Sequence, residues 1–83
     1  MNRVERSFSM EKTHPEISIV IPIHNEEGIL TAAVHDLLAK LPRLGKSFEL
    51  ILAENGSKDR TIAIAEQLSS DHPEVSTFSA PEP

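Results

Sequence analysis

Residues 49–61 read ELILAENGSKDRT, and the abrupt end of their apolar run decides the fold. Leu50, Ile51, Leu52 and Ala53 continue a strand pattern that opens at Phe48. Glu54, Asn55, Gly56 and Ser57 follow at once. Asn-Gly is a turn signal, because glycine reaches positive φ without steric cost. Ser57 or Asp59 can then cap a helix whose inward stripe is Thr61, Ala65 and Leu68, with Ile62 and Ile64 flanking it. Asp71 to Pro73 ends that helix, and Val75 to Phe78 suits a short third strand.

The same logic applies upstream. ISIVI at 17–21 is β-branched and apolar apart from Ser18, which predicts a strand buried on both faces of a parallel sheet. Pro22 lacks a donor for the ladder and is expected to end this strand. Asn25 is a good helix N-cap, and Glu26 and Glu27 would then fall in the first turn, beside the positive end of the dipole. Leu30, Val34, Leu37, Leu38 and Leu41 recur at helical spacing, and Pro42 and Gly45 close the helix. The order is β-α-β-α-β. That order implies an α/β unit with parallel strands joined by right-handed crossovers. Ligands of such sheets bind beyond the carboxyl ends of the strands, where PIHNEE and ENGSKD both lie.

Composition narrows the options. The 83 residues suffice for one small domain. Three Phe and no Trp or Tyr leave its core to Ile, Leu, Val and Ala. A net charge of −5 argues against a nucleic-acid partner. There is no cysteine, which excludes disulfides and thiolate metal sites. No apolar run approaches the ~20 residues of a membrane span, and MNRVERSFSMEKTH lacks the apolar core of a signal peptide. The expected location is the cytosol or the cytosolic face of a membrane. Residues 1–16 are expected to be a flexible lead-in and 17–83 the domain.

Local chemistry leaves the polar stretches open between two readings. Glu54 to Ser57 can be a tight strand-to-helix turn, or a carboxylate and an amide offered to a heterocycle or ribose. His24 can simply face solvent, or stack on a base or hydrogen-bond a ligand. His24, Glu26 and Glu27 make a poor metal site, because neighbours opening a helix point to different sides. His14, His35 and His72 have no metal-ligand spacing. A glycine-rich dinucleotide fingerprint, a P-loop and a nucleophile elbow are all missing.

Together the two stretches are more specific. ISIVIPIHNEEGI, followed some twenty residues later by FELILAENGSKDRT, closely resembles the N-terminus of family 2 glycosyltransferases. These are inverting enzymes of the GT-A architecture that use nucleotide-diphosphate sugars. The resemblance covers roughly residues 17–78. It implies the first part of a GT-A, Rossmann-like nucleotide-sugar-binding domain, with Pro22 and His24 at the pocket floor. Glu26 or Glu27 would approach the base or ribose, and Glu54, Asn55 and Ser57 would form the second wall. The family's usual acidic pair appears here as Glu54-Asn55, and the second acid typically accepts from the base. An amide can donate as well as accept, so Asn55 bears on which base, uracil or guanine, is held. The family's Asp-x-Asp motif, which holds Mg²⁺ or Mn²⁺ against the diphosphate, and its catalytic base both belong to later sequence. This chain is therefore expected to carry no catalytic and no metal-ligating residue, and not to transfer sugar alone. A stand-alone nucleotide-binding or regulatory module is the alternative, and an unrelated small α/β domain a third reading.

Overall fold

The computed structural model describes residues 14–80, so most of the 1–16 lead-in lies outside the described residues. The elements follow the expected order: β1 (Ile17–Ile23), α1 (Leu30–Lys40), β2 (Phe48–Asn55), α2 (Thr61–Asp71) and β3 (Val75–Ala80). A 3-10 helix over Leu41–Leu44 extends α1 and ends at Gly45, whose φ of 70° is the left-handed stop that glycine provides. The three strands form one parallel sheet in the order β1-β2-β3. Ile21 lies opposite Leu52, Ile23 opposite Glu54, Leu52 opposite Thr77 and Asn55 opposite Ala80.

Strands placed in chain order, each reached by a right-handed crossover, put both helices on one face of the sheet. The core is accordingly one-sided. Ile23, Leu50, Leu52 and Val75 from the strands meet Leu30 and Val34 of α1 and Ala65 and Leu68 of α2. Leu50 and Leu52 are wholly buried, each contributing about 1.5–3 kcal/mol relative to exposure. Thr61, Ala65 and Leu68 are the buried residues of α2, the stripe read from the sequence.

Two strand expectations need correction. β1 is not buried on both faces: its residues alternate, and Val20 is 59% exposed. The helices cover only the side carrying Ile19, Ile21 and Ile23. The opposite side, with Val20, Pro22 and Phe78, is open among the described residues. Nor does Pro22 end the strand, because β1 runs to Ile23 with Pro22 paired to Ala53. β1 is an edge of the described sheet, where a missing backbone donor need not leave a gap in the ladder.

Candidate functional site

The carboxyl ends of β1 and β2 carry two loops, 24–29 and 56–60, and these loops are laced together. The N–H of Asn25 donates to Ser57 Oγ at 3.0 Å, and Asn25 Oδ1 accepts from the Lys58 N–H at 2.8 Å. The Glu26 N–H donates to Thr61 Oγ1 at 2.7 Å. The Glu27 N–H donates to Asp59 at 3.3 Å, while the Glu27 carboxylate accepts from the Arg60 N–H at 2.8 Å. His24 Nδ1 meets the Asn55 carbonyl. Each bond joins positions more than thirty residues apart in sequence, so the rim is one rigid unit built from both loops.

This lacing corrects the capping expectations. Asn25 does not cap α1, which begins at Leu30 without a side-chain cap. Asn25 instead sits at φ 50°, a left-handed conformation that asparagine tolerates better than other non-glycine residues. Glu26 and Glu27 consequently precede α1 in a turn, where the Glu26 carbonyl accepts from the N–H groups of Ile29 and Leu30. The Glu27 carboxylate serves the start of α2, not of α1. Of the two cap candidates for α2 it is Asp59 that takes the Thr61 N–H, at 2.9 Å. Two carboxylates therefore converge on the amino end of α2, where the helix dipole favours negative charge. The Asp59 carboxyl is held below its ordinary value, first by the Thr61 hydroxyl and then by backbone N–H groups, against an opposing effect of burial.

Glu54 and Asn55 point to opposite sides of β2, as neighbours on a strand must. Glu54 is 2% exposed and lies on the helix-covered side. Its carboxylate accepts from the Ser57 N–H. That bond, then the Ser57 hydroxyl, and to a smaller degree Ser79, hold its carboxyl below the ordinary value although burial opposes them. Glu54 thus anchors the turn. Asn55, half-buried at the end of β2, carries the one buried side-chain oxygen without a hydrogen-bond partner among the described residues, its Oδ1. Such an atom costs free energy unless a partner arrives.

The structure therefore brings His24, Glu26, Asn55 and Ser57 to one rim. Pro22 lies lower, on the open face beside Ala53, and Glu54 beneath, on the other face. Beside the turn, a cleft of about 360 Å³ is lined by Glu54, Gly56, Ser57, Lys58, Ile62, Ser79 and Ala80. Lys58 and Ser79 carry no sequence signal of a site. Asn25 and Thr61 were legible only as a cap and a stripe residue, and what they hold depends on the other loop.

A sequence profile of "Glycosyl transferase family 2" matches residues 18–82. The chain belongs to glycosyl transferase family 2. Among its curated relatives is the undecaprenyl-phosphate 4-deoxy-4-formamido-L-arabinose transferase of Pectobacterium atrosepticum, 38% identical over 55 residues, which are 66% of this chain and 17% of the relative. The proteins of the same name from Shewanella sediminis and Pseudomonas aeruginosa are 42% identical over 50 residues and 40% over 45. Those matches cover 60% and 54% of this chain, and 15% and 13% of the relatives. The chain thus spans about a sixth of their length. Its strand-helix-strand-helix-strand unit is that of the start of a GT-A domain.

Family membership brings the question of a divalent cation. Among the described residues no three His, Asp or Glu side chains converge on a point that could hold one. The carboxylates of Glu27, Glu54 and Asp59 all accept from backbone N–H groups. The residues described do not fit a cation site, and no step is derived through one. No helix among them is long and apolar enough to cross a membrane.

Proposed function

We propose that this chain is the nucleotide-holding, N-terminal portion of a sugar transferase whose donor is a UDP- or GDP-linked sugar. The observation that carries this reading is the partnerless Oδ1 of Asn55 at the carboxyl end of β2. An acceptor there calls for an N–H. Uracil and guanine each present a ring N–H beside a carbonyl, so one amide can accept from the first and donate to the second. Adenine and cytosine lack that ring N–H. His24, Glu26 and Ser57 border the place a base would take, Pro22 lies below it, and Glu54 sets the turn.

The whole enzyme moves the sugar to an acceptor that is a lipid or a polysaccharide. The relatives' names, with undecaprenyl phosphate in them, favour the lipid. On this reading the 83-residue chain binds the donor and does not transfer the sugar by itself. Titration of the purified chain with UDP, GDP, CDP and ADP tests the reading. Saturable binding of UDP or GDP but not of CDP or ADP is expected. Asn55→Ala should weaken it about tenfold through loss of the paired contact, whereas Asn55→Asp keeps the acceptor. Equal binding of all four nucleotides, or none, refutes the proposal.

A further inference from the structure

The peptide between Asn55 and Gly56 is held at both ends. Its N–H, that of Gly56, donates to the Ala80 carbonyl at 3.0 Å on the β3 side. Its carbonyl, that of Asn55, meets His24 Nδ1 on the β1 side. Gly56 sits at φ 66°, and a glycine there opposes rotation of the preceding peptide with little steric resistance. Something other than sterics must therefore keep this peptide, and the Asn55 side chain at its root, in one orientation.

The hydrogen-bond chain through His24 has only one consistent assignment. A carbonyl oxygen only accepts, so Nδ1 must carry the hydrogen. With its hydrogen on Nδ1, the ring offers a lone pair at Nε2, and Asn25 Nδ2 lies 3.1 Å from it as donor. The Asn25 amide cannot be turned the other way, because its Oδ1 accepts from the Lys58 N–H at 2.8 Å. Both ring nitrogens are then engaged inside the rim, and neither is left for a ligand.

We infer that His24 is a positioning residue: held by Asn25 as the Nδ1–H tautomer, it locks the Asn55–Gly56 peptide and so aims the Asn55 side chain at the base. The functional half of this inference rests on the nucleotide reading above; the tautomer does not. Long-range proton–nitrogen correlation spectra of the ¹⁵N-labelled 83-residue chain, without nucleotide and in mildly alkaline solution, read the tautomer directly. A pyrrole-like Nδ1 and a pyridine-like Nε2 for His24 are expected, and the reverse pattern or an averaged one overturns the inference. Two variants then separate the nitrogens, since asparagine places an amide N–H near Nδ1 and glutamine near Nε2. His24→Asn should keep protection of the Gly56 amide against exchange and nucleotide affinity within about twofold, while His24→Gln loses about tenfold in each. Retention by His24→Gln with loss in His24→Asn would mean that the ring reaches the ligand through Nε2, and equal loss in both would deny the Nδ1 bond its role. A wild-type chain that binds no nucleotide would sink the functional reading, and the spectrum and the Gly56 exchange would still decide this one.

Discussion

Thr61→Val tests whether the two loops are one unit. Thr61 is wholly buried, and its hydroxyl works in two directions. The oxygen accepts from the Glu26 N–H of the first loop, and its hydrogen goes to Asp59 Oδ1 of the second. Valine keeps the shape and removes the hydroxyl, so the half-buried Glu26 N–H loses its partner. Leaving such a donor unsatisfied costs about 1–3 kcal/mol. A unit of this size is stable by roughly 3–10 kcal/mol at about 0.05–0.15 kcal/mol per residue, so the loss is a large share of the whole. Urea unfolding followed by circular dichroism should show the midpoint falling by about 0.5–2 M for a slope near 1.5 kcal/mol/M. A second readout belongs to Asp59. The Thr61 hydroxyl is the first cause of its lowered pKa, so in the valine variant that pKa moves up toward the ordinary value of 3.8. Thr61→Ser, which keeps the hydroxyl and loses one methyl, should cost about 0.8 kcal/mol and leave Asp59 where it is. A valine variant as stable as the parent, with Asp59 unmoved, would refute the claim that Thr61 joins the loops.

Two further perturbations address the core and the acid response. Leu52→Ala empties a fully buried site between sheet and helices; a loss of about 2–5 kcal/mol should leave much of the chain unfolded, and a cooperative melt near that of the parent would contradict the one-sided core. Glu54 and Asp59 both have lowered carboxyl pKa values, so their stabilisation is fully present above the unfolded values and fades as pH falls through the folded ones. Thermal melts recorded from neutral pH downward should accordingly decline below about pH 4.5, with a shallower acid limb in Glu54→Gln, and an unchanged slope in that variant would remove Glu54 from the turn's support.

The element order was legible because each strand and helix carries its own periodicity. Leu30, Val34, Thr61, Ala65 and Leu68 are buried where their spacing put them. β1 misled because ISIVI reads the same whether one face of a strand is covered or both. What covers a face depends on the sense of successive crossovers, and an apolar run does not encode that sense. The rim failed to show in sequence for a related reason. Asn25 looked like a cap because asparagine before acids usually is one, yet its amide serves Lys58 and His24. Those partners are set by the register of β1 against β2, which brings Ile23 beside Glu54 and so sets the two loops rim to rim.

That register also changes the meaning of the Glu54-Asn55 pair. In sequence the two look like a pair of ligands, and strand alternation sends them to opposite faces. Glu54 is buried and its carboxylate accepts from the Ser57 N–H, so replacing it disturbs the turn first. Asn55 keeps its oxygen unspent, and on the proposed reading its replacement alters what is bound while the turn stands. The lattice around them sharpens the contrast. Asn25, Glu27, Ser57 and Asp59 direct polar atoms at the opposite loop, and His24 meets the Asn55 carbonyl at the end of β2. On the proposed reading, a rim so bound to itself selects its base through the Asn55 amide, whose oxygen no neighbour engages.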